Sequence, residues 1–437
     1  MVKRGQDVKR EAGQFQGNED HKEIFRTDQK HQAYRRQQHQ RDHHAVQRRA
    51  KVFADCTYEG DLLAQAGVSY TVGRESTQEY GEPLAGVGGS TEHRVPFDVP
   101  ALDAQGRLLP LMYPSRPGLP GSGDRKVQAY NFRVIMTDDP ANRVPLARPE
   151  GYSVGQYELF VRFLHAMKEK TGRDPGFNDI VTINYLPNRK ADINNRGVLS
   201  TDYVGKSFEY PDASYAKREE IWKEHEEYTK GLLYFLANDP RLPEATRKNV
   251  AQWGLAKDEF IDNGNWPHQL YVREGRRMFG EYVMRQQDIQ SETTKPDPIG
   301  LGSYNSDSHF LDRYVTDRGM MEVEGGIYVP TNPYQIPYRS LLPKKREASN
   351  LLVTICLSAS HVAYCSLRME PQYMMTGHAA GIAAALAVRK GLAVQDIDIR
   401  TLRERLVDQG AILEYVPSEQ NQILGGMNRS LPYKRSR

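Results

Sequence analysis

The sequence predicts an α/β (α+β) fold. Two short apolar runs have the composition of buried strands, one at residues 52–53 and the other at residues 351–357, and a helical pattern follows each of them. The first run opens VFADCTYEGDLLAQAGVSYTVGRES, in which Asp55 stands at the carboxyl edge of the strand. Because ligands of open α/β sheets collect outside the carboxyl ends of strands, this edge is where a nucleotide would lie.

Further elements are predicted from hydrophobic periodicity and from residues that begin or end helices and strands. Ser153 and Gln156 form a capping-box pattern at the start of an amphipathic helix that ends at Gly172. Residues 81–125 are rich in Gly and Pro and predict loops with short strands, whereas residues 127–137 alternate as a strand does. Other helical patterns cover residues 213–236, 269–287, 371–390 and 399–409.

Charge is distributed unevenly along the 437 residues. Residues 1–50 contain 12 Lys and Arg against 7 Asp and Glu, whereas the remainder is nearly balanced at 47 against 49. The first segment is rich in Gln, His and Arg and has few apolar residues, so it is predicted to be disordered. A basic nucleic-acid arm and a His-rich metal tract are its functional alternatives. The balanced body has no basic cluster, so nucleic acid is not predicted as a partner.

The composition predicts a soluble protein. The mean hydropathy is −0.69, and no apolar run reaches the roughly 18–20 residues of a membrane helix. Met1 is not followed by the apolar core of a signal peptide, so the chain as given predicts a cytoplasmic protein without a membrane partner. The three cysteines form no spaced set and are expected to be reduced, buried thiols rather than a disulfide or a metal site; they are Cys56, Cys356 and Cys365.

The most informative stretch is LLVTICLSASHVAYCSLRMEPQYMMTGHAAGIAAALAVRKG, residues 351–391. A strand leads into a loop with Ser360 and His361, and Pro371 suits the first turn of the helix that follows. Gly377 belongs to a face of small side chains on that helix, which allows close approach to a sheet or to a flat ligand. Steric packing on a sheet alone is the alternative explanation.

This stretch and five others resemble the FAD-dependent oxidoreductase family of bacterial flavoproteins, which is related in architecture to the fumarate reductase and glutathione reductase type of FAD fold. The resemblance covers about residues 51–415. The other blocks are DCTYEGDLLAQAGVSYTVGRES, QAYNFRVIMTDDPANRVPLARPEGY, LPNRKADINNRGVLSTDYVG, WPHQLYVREGRRMFGEYVM and IPYRSLLPKKREASNLLVTICLSASH.

The resemblance implies a flavoprotein whose FAD-binding domain is split by an inserted substrate or cap domain. It implies a turn near the FAD diphosphate and ribitol, and a helix start facing the isoalloxazine ring, where the positive helix end stabilises negative charge on the reduced flavin. The turn residues are Asp55, Thr57, Gly60 and Asp61, and those at the helix start are Arg368, Met369 and Glu370. Ser360 and Gly377 are further expected cofactor contacts.

The sequence departs from the family at its beginning. The family opens with a strand and G-x-G-x-x-G, and that motif does not occur here. We therefore expect that the chain lacks its dinucleotide-binding half, with an exposed sheet edge or face and weakened FAD affinity. A missing front end would also remove any export signal.

These observations define an expected domain organisation. Residues 1–50 form a disordered segment, 51–85 a remnant of the FAD-binding domain, 86–340 the substrate or cap domain, 341–415 the C-terminal part of the FAD-binding domain, and 416–437 a flexible tail.

The predicted function is hydride transfer from an unidentified small molecule to FAD. His361 is the candidate acid or base, and Arg339 is a candidate for binding an anionic substrate group or the cofactor. A hydrogen-bonded loop histidine and an arginine that ties down a loop are the alternatives. A non-redox carbohydrate- or partner-binding module derived from the same family is the alternative function.

Overall fold

Helices and short strands alternate along the part of the chain that the computed structural model describes, residues 14–16, 47–88, 95–114 and 116–416. Its α-helices are α1 (Asp61–Gln65), α2 (Thr77–Tyr80), α3 (Glu158–Thr171), α4 (Tyr215–Asn238), α5 (Glu244–Ala251), α6 (Gln286–Gln290), α7 (His361–Leu367), α8 (Glu370–Lys390) and α9 (Ile399–Asp408). Its strands are β1 (Gln14–Gln16), β2 (Gln47–Arg49), β3 (Phe53–Asp55), β4 (Tyr70–Thr71), β5 (Val134–Thr137), β6 (Arg143–Val144), β7 (Val181–Leu186), β8 (Lys190–Asn195), β9 (Gly254–Ala256), β10 (Arg277–Met278), β11 (Pro298–Gly302), β12 (Ser306–Ser308), β13 (Asp312–Val315), β14 (Met321–Glu324), β15 (Ile327–Val329), β16 (Tyr334–Pro337) and β17 (Leu351–Val353).

The two ends of the globular part meet in a parallel strand pair, β3 with β17. Leu351 lies opposite Phe53, and Val353 lies opposite Asp55. The amide of Thr354 donates to the carbonyl of Asp55 at 3.0 Å, which continues the ladder past the strand ends. Parallel pairing requires a crossover connection, and here nearly the whole described chain forms it. The α/β class is therefore confirmed.

The largest core belongs to the long connection between these two strands. Its sheet is antiparallel, in the order β6-β9-β5-β8-β7, and β5 pairs with β8 through Val134 and Ile193. Aromatic side chains from α3 and α4 pack in this core together with Tyr157, whose ring stacks on Phe235 at 5.1 Å. A second core contains α7, α8 and α9. Antiparallel pairs complete the architecture, namely β1–β2, β4–β10, β11–β16, β12–β15 and β13–β14.

Four predicted helices are confirmed as α3, α4, α8 and α9. Helix α3 ends at Gly172, which adopts the left-handed conformation with φ of 70° that an α-helix C-cap favours. A 3-10 helix, Val154–Tyr157, precedes α3, and Ser153 makes no capping hydrogen bond to it. The predicted strand over residues 127–137 is shorter than expected, because only its last four residues form β5.

The helix predicted over residues 269–287 is wrong. This segment contains β10 and the beginning of α6, with extended or irregular backbone between them. Its arginines and glutamate are spaced as on an exposed helix face, yet Arg273, Glu274 and Arg277 are buried and pair with other parts of the chain. At Gly280 an added Cβ would lie 2.2 Å from the carbonyl oxygen of Leu342, so the backbone passes directly against its neighbour.

Other expectations concern the chain ends, the cysteines and the membrane. The predicted disorder of residues 1–50 falls mostly outside the described residues, within which β1 and β2 pair, and the predicted tail after residue 416 lies outside them. The described cysteines are free thiols, as predicted, but Cys56 is exposed rather than buried. None of the helices in the described ranges combines the length and apolarity that crossing a lipid bilayer requires.

Two glycine-to-alanine substitutions should have opposite effects on stability. In Gly280→Ala the added methyl group collides with the Leu342 carbonyl, so we expect a loss of about 1–3 kcal/mol. In Gly381→Ala, within α8, the methyl group meets no atom within 4 Å, so we expect a gain of about 0.5–1 kcal/mol. Urea unfolding of both variants measures these changes. Equal stabilities would show that residues 279–281 do not pack as described.

Candidate active site

Helix α7 begins at a buried position, where two acidic side chains accept hydrogen bonds from its N-cap and its first residue. The Ser360 hydroxyl oxygen accepts from the amide of Ala363 at 3.2 Å and donates to Glu82 at 2.6 Å. The amide of His361 donates to Glu75 at 2.9 Å. All residues of α7 are buried. Ser360, predicted as a cofactor contact, is thus an N-cap bonded to Glu82.

A buried ion cluster surrounds His361. Its Nδ1 lies 2.9 Å from an oxygen of Glu274, which also accepts from Arg277. Arg277 donates further to Glu75 at 2.6 Å and to the carbonyl of Ala359 at 3.0 Å. The side chains of His361, Glu274 and Arg277 have no exposed surface. Strong pairing is required here, because an unpaired charge at such a position is very costly.

The ion cluster fixes the protonation states of its members. Burial alone would lower the pKa of His361, but Cys365 and Glu274 raise this pKa to about 10. Burial alone would raise the pKa of Glu274, but His361 and Arg277 lower it to about 2. His361 is therefore a cation and Glu274 an anion across the neutral pH range.

Gln128 connects the ion cluster to a second group of polar residues. Its amide nitrogen donates to Glu274 at 3.0 Å and to the sulfur of Cys365 at 3.4 Å. Its amide oxygen accepts from the backbone of His309 at 3.1 Å. The Cys365 sulfur also lies 3.9 Å from His361 Nε2. One side chain therefore links residues that come from three distant parts of the sequence.

The second group is built on Asp202 and His309. Asp202 Oδ2 lies 2.7 Å from His309 Nδ1, and Asp202 Oδ1 lies 3.0 Å from Arg273. Although burial raises the pKa of Asp202, Arg273 and His309 hold it below its ordinary value. Burial and Arg273 lower the pKa of His309 against the opposing effect of Asp202 and Asp307. His309 is therefore neutral where His361 is charged.

Arg368 joins this second group to the start of α8. Its guanidinium donates to the carbonyl of Asp307 at 2.8 Å, and its Nη2 lies 3.6 Å from the Asp307 carboxylate. The residues that follow become progressively accessible, since Met369 is half-buried and Glu370 is exposed. Met369 is the N-cap of α8 and makes no side-chain cap hydrogen bond. We refer to the two groups, Gln128, Asp202, Arg273, Glu274, Arg277, Asp307, His309, His361, Cys365 and Arg368, as the inner polar cluster.

Sequence reasoning missed Asp202, His309 and Gln128 as members of this cluster. Asp202 lies within the block LPNRKADINNRGVLSTDYVG, which carried the family resemblance without a role for this residue. His309 follows the strand Ser306–Ser308, whose three residues are all polar, although two of them are buried. Polar residues in a buried strand were the signal that could have drawn attention to this place.

In the turn after β3, the residues predicted to contact the cofactor form hydrogen bonds within the turn and with the start of α1. Asp55 accepts from the Thr57 hydroxyl at 2.7 Å and from the Leu63 amide at 2.9 Å. The Gly60 amide donates to the Thr57 hydroxyl at 3.0 Å. Gly60 has φ of 67°, and an added Cβ would lie 3.1 Å from the sulfur of Cys356. Burial raises the pKa of Asp55 despite these hydrogen bonds.

Asp61 is also engaged within the protein. Its two oxygens receive Arg218 at 2.8 and 2.9 Å, and one of them receives Arg276 at 2.7 Å. Burial opposes ionisation of Asp61, but the two arginines hold its pKa below the ordinary value. The arginine pair therefore ties α1 to α4 and to residues 271–278.

The turn after β3 and the start of α8 lie side by side. The rings of Tyr58 and Tyr373 meet edge to face with centroids 5.8 Å apart, and the hydroxyl groups of Tyr364 and Tyr373 are 3.0 Å apart. Thr376 also donates to the carbonyl of Thr354 at 3.0 Å. The two places predicted to flank the flavin are thus adjacent, with tyrosine rings in the space between them.

One face of α8 is open. An added Cβ at Gly377 or Gly381 would meet no atom within 4 Å in the described part of the chain, and Met374 on the same helix is 73% exposed. Ala379, Ala380 and Ala383 cover the buried side. Gly377 therefore lies on a face of α8 that the described residues leave uncovered, and its contact with the cofactor stays a prediction.

Arg339 has a different set of partners from those of His361. Its amide donates to Asp297 at 3.0 Å, its Nε lies 3.5 Å from the same carboxylate, and its guanidinium stacks on the ring of Tyr282 at 4.1 Å. The inner polar cluster is therefore built without it.

Comparison with known proteins identifies one family. A family model described as FAD dependent oxidoreductase matches residues 20–406, and this match begins upstream of the resemblance described above, which covers about residues 51–415. No curated protein and no solved structure matches the chain.

The pairing of His361 with Glu274 should make stability depend on pH. The pKa of His361 is about 10 in the folded chain, and its ordinary value is about 6.5. Its stabilising effect is therefore complete below about pH 6.5 and is lost as the pH rises toward 10. We expect the difference in unfolding free energy between the unmodified chain and His361→Gln to shrink over this interval in urea titrations.

Exposed His165 supplies the matched control. His165→Gln should follow the pH profile of the unmodified chain throughout. A stability difference for His361→Gln that stays constant from pH 6.5 to 10 would contradict the ionised pair.

Proposed function

The chain belongs to the FAD dependent oxidoreductase family, and we propose that it oxidises a small molecule by hydride transfer to non-covalently bound FAD. The family match over most of the sequence carries this proposal. When bound, FAD supplies the two-electron acceptor, and the protein supplies binding, orientation and electrostatics.

The start of α8 fits the flavin end of FAD. The helix has no side-chain cap, and its positive end favours negative charge. Gly377 adds open space on the same helix. In this proposal Met369, Glu370 and Gly377 hold the ring, and Arg368 fixes the helix start from behind through Asp307.

The turn after β3 has a shaping role in this proposal. Asp55, Thr57 and Gly60 satisfy one another, and Asp61 is neutralised by two arginines. Their side chains therefore position Tyr58 beside Tyr373 at the edge of the flavin site. Contact of this turn with the diphosphate and ribitol remains a prediction.

The two predicted catalytic residues act through charge in this proposal. His361 is a buried cation fixed by Glu274, so it supplies positive potential to the inner polar cluster and cannot take up a further proton. Arg339 is partly exposed. In this proposal its guanidinium releases the Asp297 carboxylate and binds an anionic group of the substrate or cofactor instead.

A bulky side chain on the open face of α8 should block FAD. Gly377→Trp starts an indole side chain at a position where an added Cβ meets nothing within 4 Å in the described part of the chain, so we expect the fold to be retained. We expect its dissociation constant for FAD to rise at least about tenfold, the equivalent of 1.4 kcal/mol. The measurement is quenching of flavin fluorescence during titration of the purified chain.

Val407→Trp is the matched control, because Val407 is exposed on α9. It should bind FAD as the unmodified chain does. Unchanged affinity in Gly377→Trp would place the ring elsewhere, and a lack of FAD binding by the unmodified chain would contradict the proposed function.

A further inference from the structure

His309 has one anchored ring nitrogen and one that is left for another partner. Its Nδ1 lies 2.7 Å from Asp202, and its Nε2 lies 3.8 Å from Asp307 Oδ1, which is too long for a hydrogen bond. The side chain retains 11% of its surface exposure, whereas that of His361 retains none. His309 is thus the histidine of the inner polar cluster that keeps some exposed surface.

The anchoring partner fixes the tautomer of His309. A carboxylate only accepts hydrogen bonds, so the proton of the neutral imidazole is on Nδ1 and the lone pair is on Nε2. Arg273 keeps Asp202 ionised by binding its other oxygen at 3.0 Å. The imidazole is therefore oriented to accept a proton at Nε2, and the resulting imidazolium would be stabilised by Asp202.

The charges around His309 balance. Asp202 is paired with Arg273, and Asp307 is paired with Arg368. With a neutral imidazole between the pairs, these four charged side chains have no net charge. The Asp307 carboxylate beside Nε2, which also accepts from the Tyr304 hydroxyl at 2.9 Å, would repel an anionic group placed there. A neutral hydroxyl group can donate to Nε2 without this penalty.

Asp307 and Arg368 connect His309 to the proposed flavin site. Arg368, which binds Asp307, is the residue immediately before the N-cap of α8. In the proposed site, a substrate that contacts both His309 and the start of α8 would have a proton acceptor at one end and the hydride acceptor at the other.

We infer that His309, oriented by Asp202, is the catalytic base that accepts the hydroxyl proton of a neutral alcohol substrate, an assignment that rests on the proposed function. The O–H bond breaks and its proton goes to His309 Nε2. When bound, oxidised FAD would take the hydrogen of the adjacent C–H bond together with both bonding electrons. A carbonyl group forms between the same carbon and oxygen, so an alcohol becomes an aldehyde or ketone.

The tautomer and the pKa of His309 provide a test that needs neither substrate nor cofactor. Long-range ¹H–¹⁵N spectra of the full chain labelled at histidine report both, and His309→Gln identifies the signal. We expect the Nδ1–H tautomer and a neutral ring at pH 7. A ring that is protonated at pH 7, or that carries its hydrogen on Nε2, overturns the inference.

The ligand class is tested in the same spectra with glycerol, mannitol, D-glucose and the anionic D-gluconate as probes. We expect at least one neutral polyol to shift the Nε2 resonance of His309, with gluconate weaker than glucose. If Nε2 responds to none of the neutral probes, or responds most strongly to gluconate, the inference is wrong. His165→Gln controls for effects of losing a histidine.

Reduction of FAD-loaded protein separates this inference from the proposed function. With the polyol that shifts Nε2, His309→Gln should reduce the flavin about 10²–10⁴-fold more slowly, whereas its FAD affinity is unchanged. Equal reduction rates overturn the role of His309. Loss of FAD binding in the unmodified chain refutes the proposed function and leaves the spectroscopic outcome to decide the ligand assignment.

Discussion

A buried carboxylate, Glu274, holds together the parts of the protein that form the candidate site. It has no exposed surface and is ionised because Arg277 and His361 contact it. Removing one partner of such a group leaves an uncompensated charge, which costs about 3–5 kcal/mol. Because Arg277 lies on β10 and His361 opens α7, this requirement fixes the relative position of the two elements, and Gln128 extends the connection to the segment before β5. The direction of α7 then determines where Arg368 and the start of α8 lie.

The same type of pair, a histidine with an acidic residue, gives opposite protonation states at two neighbouring places. The pKa of His361 beside Glu274 is raised, so this ring is a cation. The pKa of His309 beside Asp202 is lowered, so this ring stays neutral. Burial lowers the pKa of both histidines, but Cys365 and Glu274 outweigh burial at His361, whereas Arg273 acts in the same direction as burial at His309. Buried groups with pKa values displaced in opposite directions allow one fixed charge and one proton acceptor to coexist in a single cluster.

The sequence predicted the elements whose patterns are local. Helices α3, α4, α8 and α9 follow from apolar or small-residue periodicity and from end signals such as Gly172, and the apolar runs predicted β3 and β17. Prediction failed at residues 269–287, because a charge spacing typical of a helix face is equally available to an extended segment that buries its arginines against acidic partners. The inner polar cluster could not be predicted, since Gln128, Asp202 and His309 meet only through long-range contacts.

Packing explains some of the small residues of helix α8 but not others. Ala379, Ala380, Ala383 and Ala387 are buried against the second core, so their size is set by neighbouring side chains. Gly377 and Gly381 have no such reason, because in the described part of the chain an added methyl group would touch nothing. Each glycine destabilises a helix interior by about 0.5–1 kcal/mol relative to alanine. In the proposed function, these two glycines leave room for a ligand to approach the helix closely. For this reason the cofactor part of the proposal rests on the open face of α8. The turn at Asp55 supports it less, because its polar groups already form hydrogen bonds with one another.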